Sequence, residues 1–204
     1  MKALWAGSWI LAALALVAAA PVAKIQSMLA KPKILCGRFE QSKQLVGLKK
    51  PVNSNGRFCV VADKGVLWRT LRPFPNTLKL TRDEIVQLRG ERVALRLEAK
   101  QEPVVRMING VLFALLAGDL EQLEKLFEID GMAQDKSWSV TLKAREPGLA
   151  KAIGSIALDG GVYVKNIVIS EASGDRTDIV FSAIQTGDGA MSAGMAFEAL
   201  NNAG

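Results

Sequence analysis

The side chains that could do chemistry in this chain include two cysteines, Cys36 and Cys59, and the sequence contains no histidine. A reactive thiol needs a nearby charged partner, such as histidine, to stabilise its thiolate. Two cysteines in an exported protein usually pair with each other. Each lies in or beside a segment with strand-like alternation, and a hairpin of these strands would bring them together. The sequence therefore predicts a structural disulfide between Cys36 and Cys59.

The sequence also lacks the patterns of common enzyme classes. Without histidine, the usual general base for a serine or cysteine nucleophile is missing. No Cys/His metal spacing, H-E-x-x-H motif or phosphate-binding glycine loop occurs. The acidic residues Asp83, Glu84, Asp119 and Glu121 are interpreted as turn or helix-start residues. We therefore expect a binding protein with no metal and no cofactor, and a glycosidase using two carboxylates is the alternative that these residue types leave open.

The first 20 residues have the composition of a secretory signal. Lys2 gives a positive start, residues 4–20 form an apolar run, and small residues at 17–20 offer a cleavage site. Residues 1–20 are therefore predicted to be a signal peptide, and residues 21–204 a single domain. The apolar run is about as long as the shortest membrane-spanning helix, so a retained anchor is the alternative.

The positive charge of the chain is modest and scattered, with 26 Lys and Arg against 20 Asp and Glu. Arg69, Arg72, Lys79 and Arg82 are close in sequence, but no basic tract with interleaved aromatic residues occurs. This pattern favours a solvated strand face. Weak attraction to an anionic partner or a membrane surface is the functional alternative. No nucleic-acid partner is expected for an exported chain.

Alternation of apolar residues with period two predicts a large antiparallel sheet. Between residues 56 and 81, for example, Phe58 and Val60 alternate with other residue types, as do Leu78 and Leu80. A sheet this large must curl or close. We therefore expect a mainly β fold, an open and incomplete antiparallel barrel. Strands are predicted near residues 34–45, 57–62, 66–71, 77–81, 85–88, 93–98, 137–143, 153–158, 162–170 and 177–185.

One helical region interrupts the predicted strands. Residues 104–117 are apolar nearly all round, which requires burial on every side. Asp119 with Gln122 three residues later forms a capping-box pattern for a second helix. We therefore predict lid helices around residues 104–127, lying over the concave side of the sheet. The apolar interior beneath them is either a plain core or a pocket.

Several short motifs resemble a known family. They are Phe39-Glu40-Gln41, the Gly56-Arg57-Phe58 strand, and the run K-G-V-L-W-R at 64–69 followed by P-F-P-N-T-L at 73–78. Their order and spacing resemble the periplasmic lipoprotein carrier family of the LolA type, over roughly residues 25–185. The resemblance implies an unclosed barrel with a helical lid and an apolar cavity for the acyl chains of lipoproteins or lipids. It also implies a periplasmic carrier, expected here to be monomeric, that passes cargo from an inner-membrane exporter to an outer-membrane receptor.

The apolar pattern and the resemblance together predict an acyl-chain cavity. The same side chains could form an ordinary core, because apolar stripes are more often core than ligand sites. The expected lining consists of Phe58, Leu67, Trp68, Leu78, Leu97, Ile108, Leu112, Phe113, Leu116, Trp138, Ile169 and Phe181.

The resemblance also implies a latch for the lid. Members of the family often carry an Arg-Pro pair before the third strand, and its Arg holds the lid closed; Lys64 and Gly65 stand at the matching positions. Lysine lacks the planar fork of arginine, so we expect a weaker latch at Lys64, with Arg69 and Arg72 as alternatives. This difference supports an alternative function, a non-carrier sensor of lipid or lipoprotein, or an accessory subunit of an envelope assembly system.

Overall fold

The computed structural model describes residues 19–62, 64–101, 110–111, 113–114 and 119–190. Eleven strands dominate this part of the chain. They are β1 (Ile34–Gln44), β2 (Val52–Val61), β3 (Gly65–Arg72), β4 (Asn76–Leu80), β5 (Glu84–Arg89), β6 (Arg92–Glu98), β7 (Phe127–Ala133), β8 (Trp138–Ala144), β9 (Ser155–Gly160), β10 (Val164–Ser170) and β11 (Arg176–Thr186). The helices are α1 (Ala19–Met28), α2 (Leu120–Glu124) and α3 (Pro147–Ile153).

The strands form a single antiparallel sheet in the order β6-β5-β4-β3-β2-β1-β11-β10-β9-β8-β7. The chain builds it as two meanders, β1 to β6 and β7 to β11, which meet where β11 pairs with β1. The sheet is not closed, because β6 and β7 are its two edges. The prediction of a mainly β, incomplete antiparallel barrel is therefore confirmed.

The connection between the meanders joins one edge of the sheet to the other. It follows β6 and ends in α2, and helical residues at 110, 111, 113 and 114 lie within it. Val111, Ala114 and the α2 residues Leu120 and Leu123 are buried in the same core cluster as the sheet. The described part of the connection therefore packs on one face of the sheet, on the same side as α1.

Alternation along the strands creates that core face. In β8, for example, Trp138, Val140 and Leu142 are buried while Ser139 and Thr141 are exposed. The same period directs the apolar side chains of the other strands towards α1 and α2. The cluster contains, among others, Ile25, Phe39, Phe58, Val66, Leu80, Phe127, Ile156, Leu158 and Ile167.

Two reciprocal pairs of phenylalanine and glycine join β1 to β2 at the middle of the sheet. Phe39 lies opposite Gly56, and Phe58 lies opposite Gly37. An added Cβ on Gly56 would come within 2.7 Å of the Phe39 ring, and one on Gly37 within 2.9 Å of the Phe58 ring. Each glycine therefore provides the space in which the opposing ring lies flat against the sheet.

The opposite face of the sheet carries the predicted disulfide. Cys36 and Cys59 are directly opposed residues of β1 and β2, and their sulfurs are bonded. Ala190 packs on them, with Ile34 and Leu67 beside it. The disulfide therefore crosslinks the first two strands on the side away from the core helices.

Two elements of the structure, β7 and α3, were not predicted from the sequence. The predicted lid ended at Phe127, but Phe127 begins β7, a strand that was not predicted. No helix was predicted at α3 either, in which Pro147 is the first residue, where its fixed φ suits a helix. The predicted signal peptide lies outside the described residues except for Ala19 and Ala20, which begin α1.

Among the described helices, none combines the length and the apolarity needed to span a membrane.

Replacing Gly56 by alanine should destabilise the sheet centre. The new methyl group would meet the Phe39 ring and the carbonyl of Arg69, and overpacking of this kind costs about 1–3 kcal/mol. We expect a lower urea midpoint for Gly56→Ala. Gly148→Ala is the matched control, because Gly148 lies in α3 with nothing within 4 Å of an added Cβ. Equal midpoints for the two variants would contradict this account.

Removing the disulfide should weaken the fold through the unfolded state. The two cysteines are 23 residues apart. In the chain-entropy account, a disulfide that closes a loop of this length stabilises the folded state by about 3 kcal/mol, because it restricts the unfolded chain. We expect Cys36→Ala/Cys59→Ala to lose that amount in urea unfolding. Reductant should shift the natural protein in the same way and leave the double variant unchanged. A natural protein insensitive to reductant would show that the bridge is not formed.

Candidate functional site

A pocket of about 700 Å³ opens on the core side of the sheet. Leu35, Phe58, Val60, Phe181 and Ile184 form its sheet wall. These residues come from β1, β2 and β11, the three strands where the two meanders meet. All five are apolar, and the first four are buried. This wall therefore presents a continuous apolar surface.

An aromatic cluster supports the sheet wall. The rings of Phe58 and Phe181 lie 4.8 Å apart between centroids. Trp68 stacks on Phe39 at 3.9 Å and contacts Phe181 edge-on at 6.1 Å. Aromatic pairs in these arrangements are more stable than their buried area alone indicates. The cluster therefore holds the Phe58 and Phe181 rings in place at the pocket.

The opposite wall comes from the helical parts of the chain. Leu29, which follows α1, is buried, while Phe113 and Ala114 belong to the connection from β6 to β7. A hydrogen bond from the Ala30 amide to the Val162 carbonyl, 2.9 Å long, ties the end of α1 to the β9–β10 turn. The side chain of Phe113 is half-buried. The pocket therefore lies between the sheet and chain segments that pack on it.

The start of α2 is fixed by side-chain capping at the pocket rim. The Gln122 amide donates to Asp119 Oδ1 at 3.3 Å, as the capping-box pattern predicted. The Leu120 amide donates to Gln26 Oε1 at 2.8 Å, which joins α2 to α1. Asp119 and Gln122 therefore have a structural role as well as a place at the pocket.

The rim of the pocket is polar and carries both signs of charge. It includes Lys31, Arg82, Asp83, Asp119 and Gln122. An apolar interior with a polar mouth suits an amphiphile whose tail enters and whose polar end stays near water. Among the described residues, no group of three or more His, Cys, Asp or Glu side chains is arranged to hold a metal ion.

Of the twelve residues predicted to line a cavity, Phe58, Phe113 and Phe181 line this pocket. Trp138 is buried in the core, where its indole nitrogen donates to the Gly161 carbonyl at 2.7 Å. The predicted residues that pack against the core cluster without lining the pocket are Trp68, Leu78, Leu97 and Ile169. Those outside the described residues are Ile108, Leu112 and Leu116.

The assignment of Leu67 to the cavity was wrong. Leu67 lies opposite Cys59 in the β2–β3 register and packs beside the disulfide. Its neighbours Val66 and Trp68 lie on the core side instead. Three consecutive apolar residues hide the period of two, so the sequence does not show which of them faces the core.

Two of the three latch candidates lie away from the pocket. Arg69 is exposed and follows Trp68, so it lies on the face away from the pocket. Arg72 is exposed at the other end of β3 from the pocket, about 20 Å along the strand from Gly65. Lys64 is exposed in the β2–β3 turn, two residues after the pocket residue Ala62. Lys64 therefore remains the candidate latch.

Several pocket residues were missed by reasoning from the sequence. Leu35 alternates with Phe39 along β1 and could have been found from that period. Leu29, Tyr163 and the rim residue Arg82 lie near the ends of elements, where no periodic pattern indicates what they contact. Tertiary contacts between distant parts of the chain bring these residues together.

A sequence profile described as "Outer membrane lipoprotein carrier protein LolA-like" matches residues 13–200. The chain belongs to this LolA-like family. The family resemblance drawn from the short motifs is therefore confirmed. No curated protein sequence matches this chain significantly.

Several solved structures are similar to this one at low sequence identity. The LolA superfamily protein NE2245 from Nitrosomonas europaea has a TM-score of 0.47 and 9% identity, over 85% of this chain and 95% of that one. A Vibrio parahaemolyticus structure described as a "putative outer membrane lipoprotein-sorting protein domain" has a TM-score of 0.46 and 8% identity, over 90% of this chain and 99% of that one. The Pseudomonas aeruginosa MucA/MucB complex structure has a TM-score of 0.45 and 14% identity, over 81% of this chain and 57% of that one.

Proposed function

We propose that this LolA-like protein binds the acyl chains of lipoproteins or lipids and carries them through the periplasm for transfer to the outer membrane. The pocket of about 700 Å³, with its apolar sheet wall and polar rim, is the observation that carries the proposal. Membership of a family described as outer membrane lipoprotein carriers supports it. The protein acts in this proposal by binding alone, as a monomer without metal or cofactor.

The energy of such binding would come from burial of the acyl chain. Each methylene transferred from water to an apolar site contributes about 0.8 kcal/mol. A long chain therefore needs no polar contact with Phe58, Val60 or Phe181 to bind tightly. The polar rim would leave a headgroup or the lipoprotein's peptide part in water.

Release of a tightly held acyl chain requires a competing state. The connection from β6 to β7, as the proposed lid, can supply one by packing on the sheet wall when the pocket is empty. Ile108, Leu112 and Leu116 are proposed to contact the acyl chain or the sheet in these two states. Filled and empty forms need to differ by only a few kcal/mol for a partner to shift them. Lys64, in the β2–β3 turn near the pocket, is the proposed latch.

The proposed route of cargo has two protein partners. An inner-membrane exporter would load the pocket, and an outer-membrane receptor would empty it. The predicted signal peptide at residues 1–20 would deliver the chain to the periplasm. Residues 21–204 would then act as one carrier domain.

Filling the pocket should weaken acyl binding. Ala30 is half-buried and lines the pocket, so Ala30→Trp places a bulky ring where an acyl chain would lie. If the ring keeps two methylene groups of a fluorescent fatty-acyl probe out of the pocket, the affinity for the probe should fall by about tenfold or more. Val180→Trp is the matched control, since Val180 is 48% exposed and is the neighbour of Phe181 on the other face of β11.

Unchanged probe binding by Ala30→Trp would place the acyl site elsewhere. Mass spectrometry of an organic extract should detect lipid or lipopeptide in the natively purified protein. A lipid-free preparation that also fails to bind the probe would overturn the proposal as a whole.

A second candidate function is a sensor of lipid or lipoprotein, or an accessory subunit of an envelope assembly system. The backbone where the β2–β3 turn enters β3 supports this second candidate. Gly65 has a φ of 154°, which proline cannot adopt. The turn therefore differs in its backbone from one with the family's Arg-Pro latch.

Deletion of the gene separates the two functions. A general carrier is needed for outer-membrane lipoproteins to leave the inner membrane, so these should accumulate there in the deletion strain. The measurement is immunoblotting of separated inner and outer membranes. Normal distribution of lipoproteins would reject the carrier and favour the sensor or accessory subunit.

A further inference from the structure

Three arginines lie side by side on the face of the sheet away from the pocket. Arg38 of β1 is directly opposite Arg57 of β2, which is directly opposite Arg69 of β3. All three side chains are exposed. We call these three residues the basic row. Neighbouring strands are about 4.8 Å apart, so the row spans roughly 10 Å.

The period of the strands explains why the basic row faces away from the pocket. Each arginine is adjacent in sequence to a core residue, since Phe39 follows Arg38 and Phe58 follows Arg57. Trp68, which precedes Arg69, packs against the same core. The aromatic cluster under the pocket and the basic row are therefore two sides of the same strands.

The charge of the basic row is not neutralised within the described part of the chain. Like charges directly opposite each other in a sheet destabilise it. None of the three arginines has a carboxylate partner among the described residues, and Glu40 on the same face is exposed without an ion pair. Arg72, opposite Asn55, adds a further exposed cation nearby.

We infer that the basic row docks the protein on the surface of a membrane that contains anionic phospholipid. Guanidinium groups bind phosphate through paired hydrogen bonds, and an anionic leaflet attracts clustered arginines. An acidic protein is a less suitable partner for the basic row, because protein–protein interfaces depend on aromatic or other apolar side chains that become buried at their centre. The residues that continue the row in register, Ser182 and Thr77, are small and polar.

Docking through the basic row leaves the pocket accessible. The row and the pocket lie on opposite faces of the sheet, so the docked protein keeps its polar rim off the membrane contact. The docking surface extends beyond the proposed acyl-binding function and does not depend on it. Acyl binding and membrane docking are therefore separable by mutation.

Vesicle flotation of the intact protein tests the inference. We expect binding to phosphatidylcholine vesicles that contain phosphatidylglycerol, and much weaker binding to phosphatidylcholine alone. Each arginine near an anionic surface strengthens binding by about fivefold, so Arg38→Gln/Arg57→Gln/Arg69→Gln should lose roughly a hundredfold. Salt at about 1 M should have a similar effect on the natural protein, since it shortens the Debye length to about 3 Å.

A matched variant removes the same charge elsewhere. Lys136, Lys143 and Lys151 are exposed at the β7–β8 turn, on β8 and on α3, away from the basic row. Replacing these three by glutamine should change vesicle binding little. Replacing the basic row by lysine should keep most of the binding, because the charge remains. The basic-row variant Arg38→Gln/Arg57→Gln/Arg69→Gln should still bind the acyl probe, and this binding would show that the variant is folded.

Three results would overturn the inference. One is equal flotation with anionic and neutral vesicles. Another is equal loss of binding in the two triple glutamine variants. The third is vesicle binding by the natural protein that does not respond to salt. A different result would count against the proposed function alone. It is failure of the natural protein and of every variant to bind the acyl probe, while the natural protein still binds anionic vesicles.

Discussion

The whole arrangement depends on an eleven-stranded sheet that does not close. Its core face is apolar, and an apolar face of that size must be covered. The chain covers it with α1 and with the connection that runs from one edge strand, β6, to the other, β7. The described residues of this connection pack on the core side, where they bury apolar surface of the sheet. The pocket lies between this open sheet and the segments that cover its core face.

The middle of the sheet supports both faces at once. On the core side, Phe39, Phe58, Trp68 and Phe181 form the aromatic cluster beside the pocket, and Gly56 leaves room for the Phe39 ring. On the other side, the same strands carry the disulfide and the basic row. The crosslink holds β1 and β2 together where these rings meet. A carrier that loads a lipid on one face and meets a membrane with the other would use both sides of these strands.

Most strands could be predicted from the sequence because alternation is a local signal. The prediction failed for β7, since Phe127 fits both the apolar stripe of a helix and the first residue of a strand. It failed for α3 because Pro147-Gly148 is equally typical of a turn and of a helix start. In each case two elements share the same short pattern, and tertiary packing decides between them.

Taken alone, the sequence determined the mainly β architecture, the cysteine pair and the apolar alternation along the strands. It also carried the motifs that identify the LolA-like family. Only the tertiary structure decided that Leu67 packs on the disulfide, that Arg69 lies on the face away from the pocket, and that Leu29 and Tyr163 meet at the pocket. The physical reason is that alternation places successive residues of a strand on opposite faces of the sheet, but does not determine which face is buried. Long-range strand pairing and the passage of the chain from edge to edge make that choice.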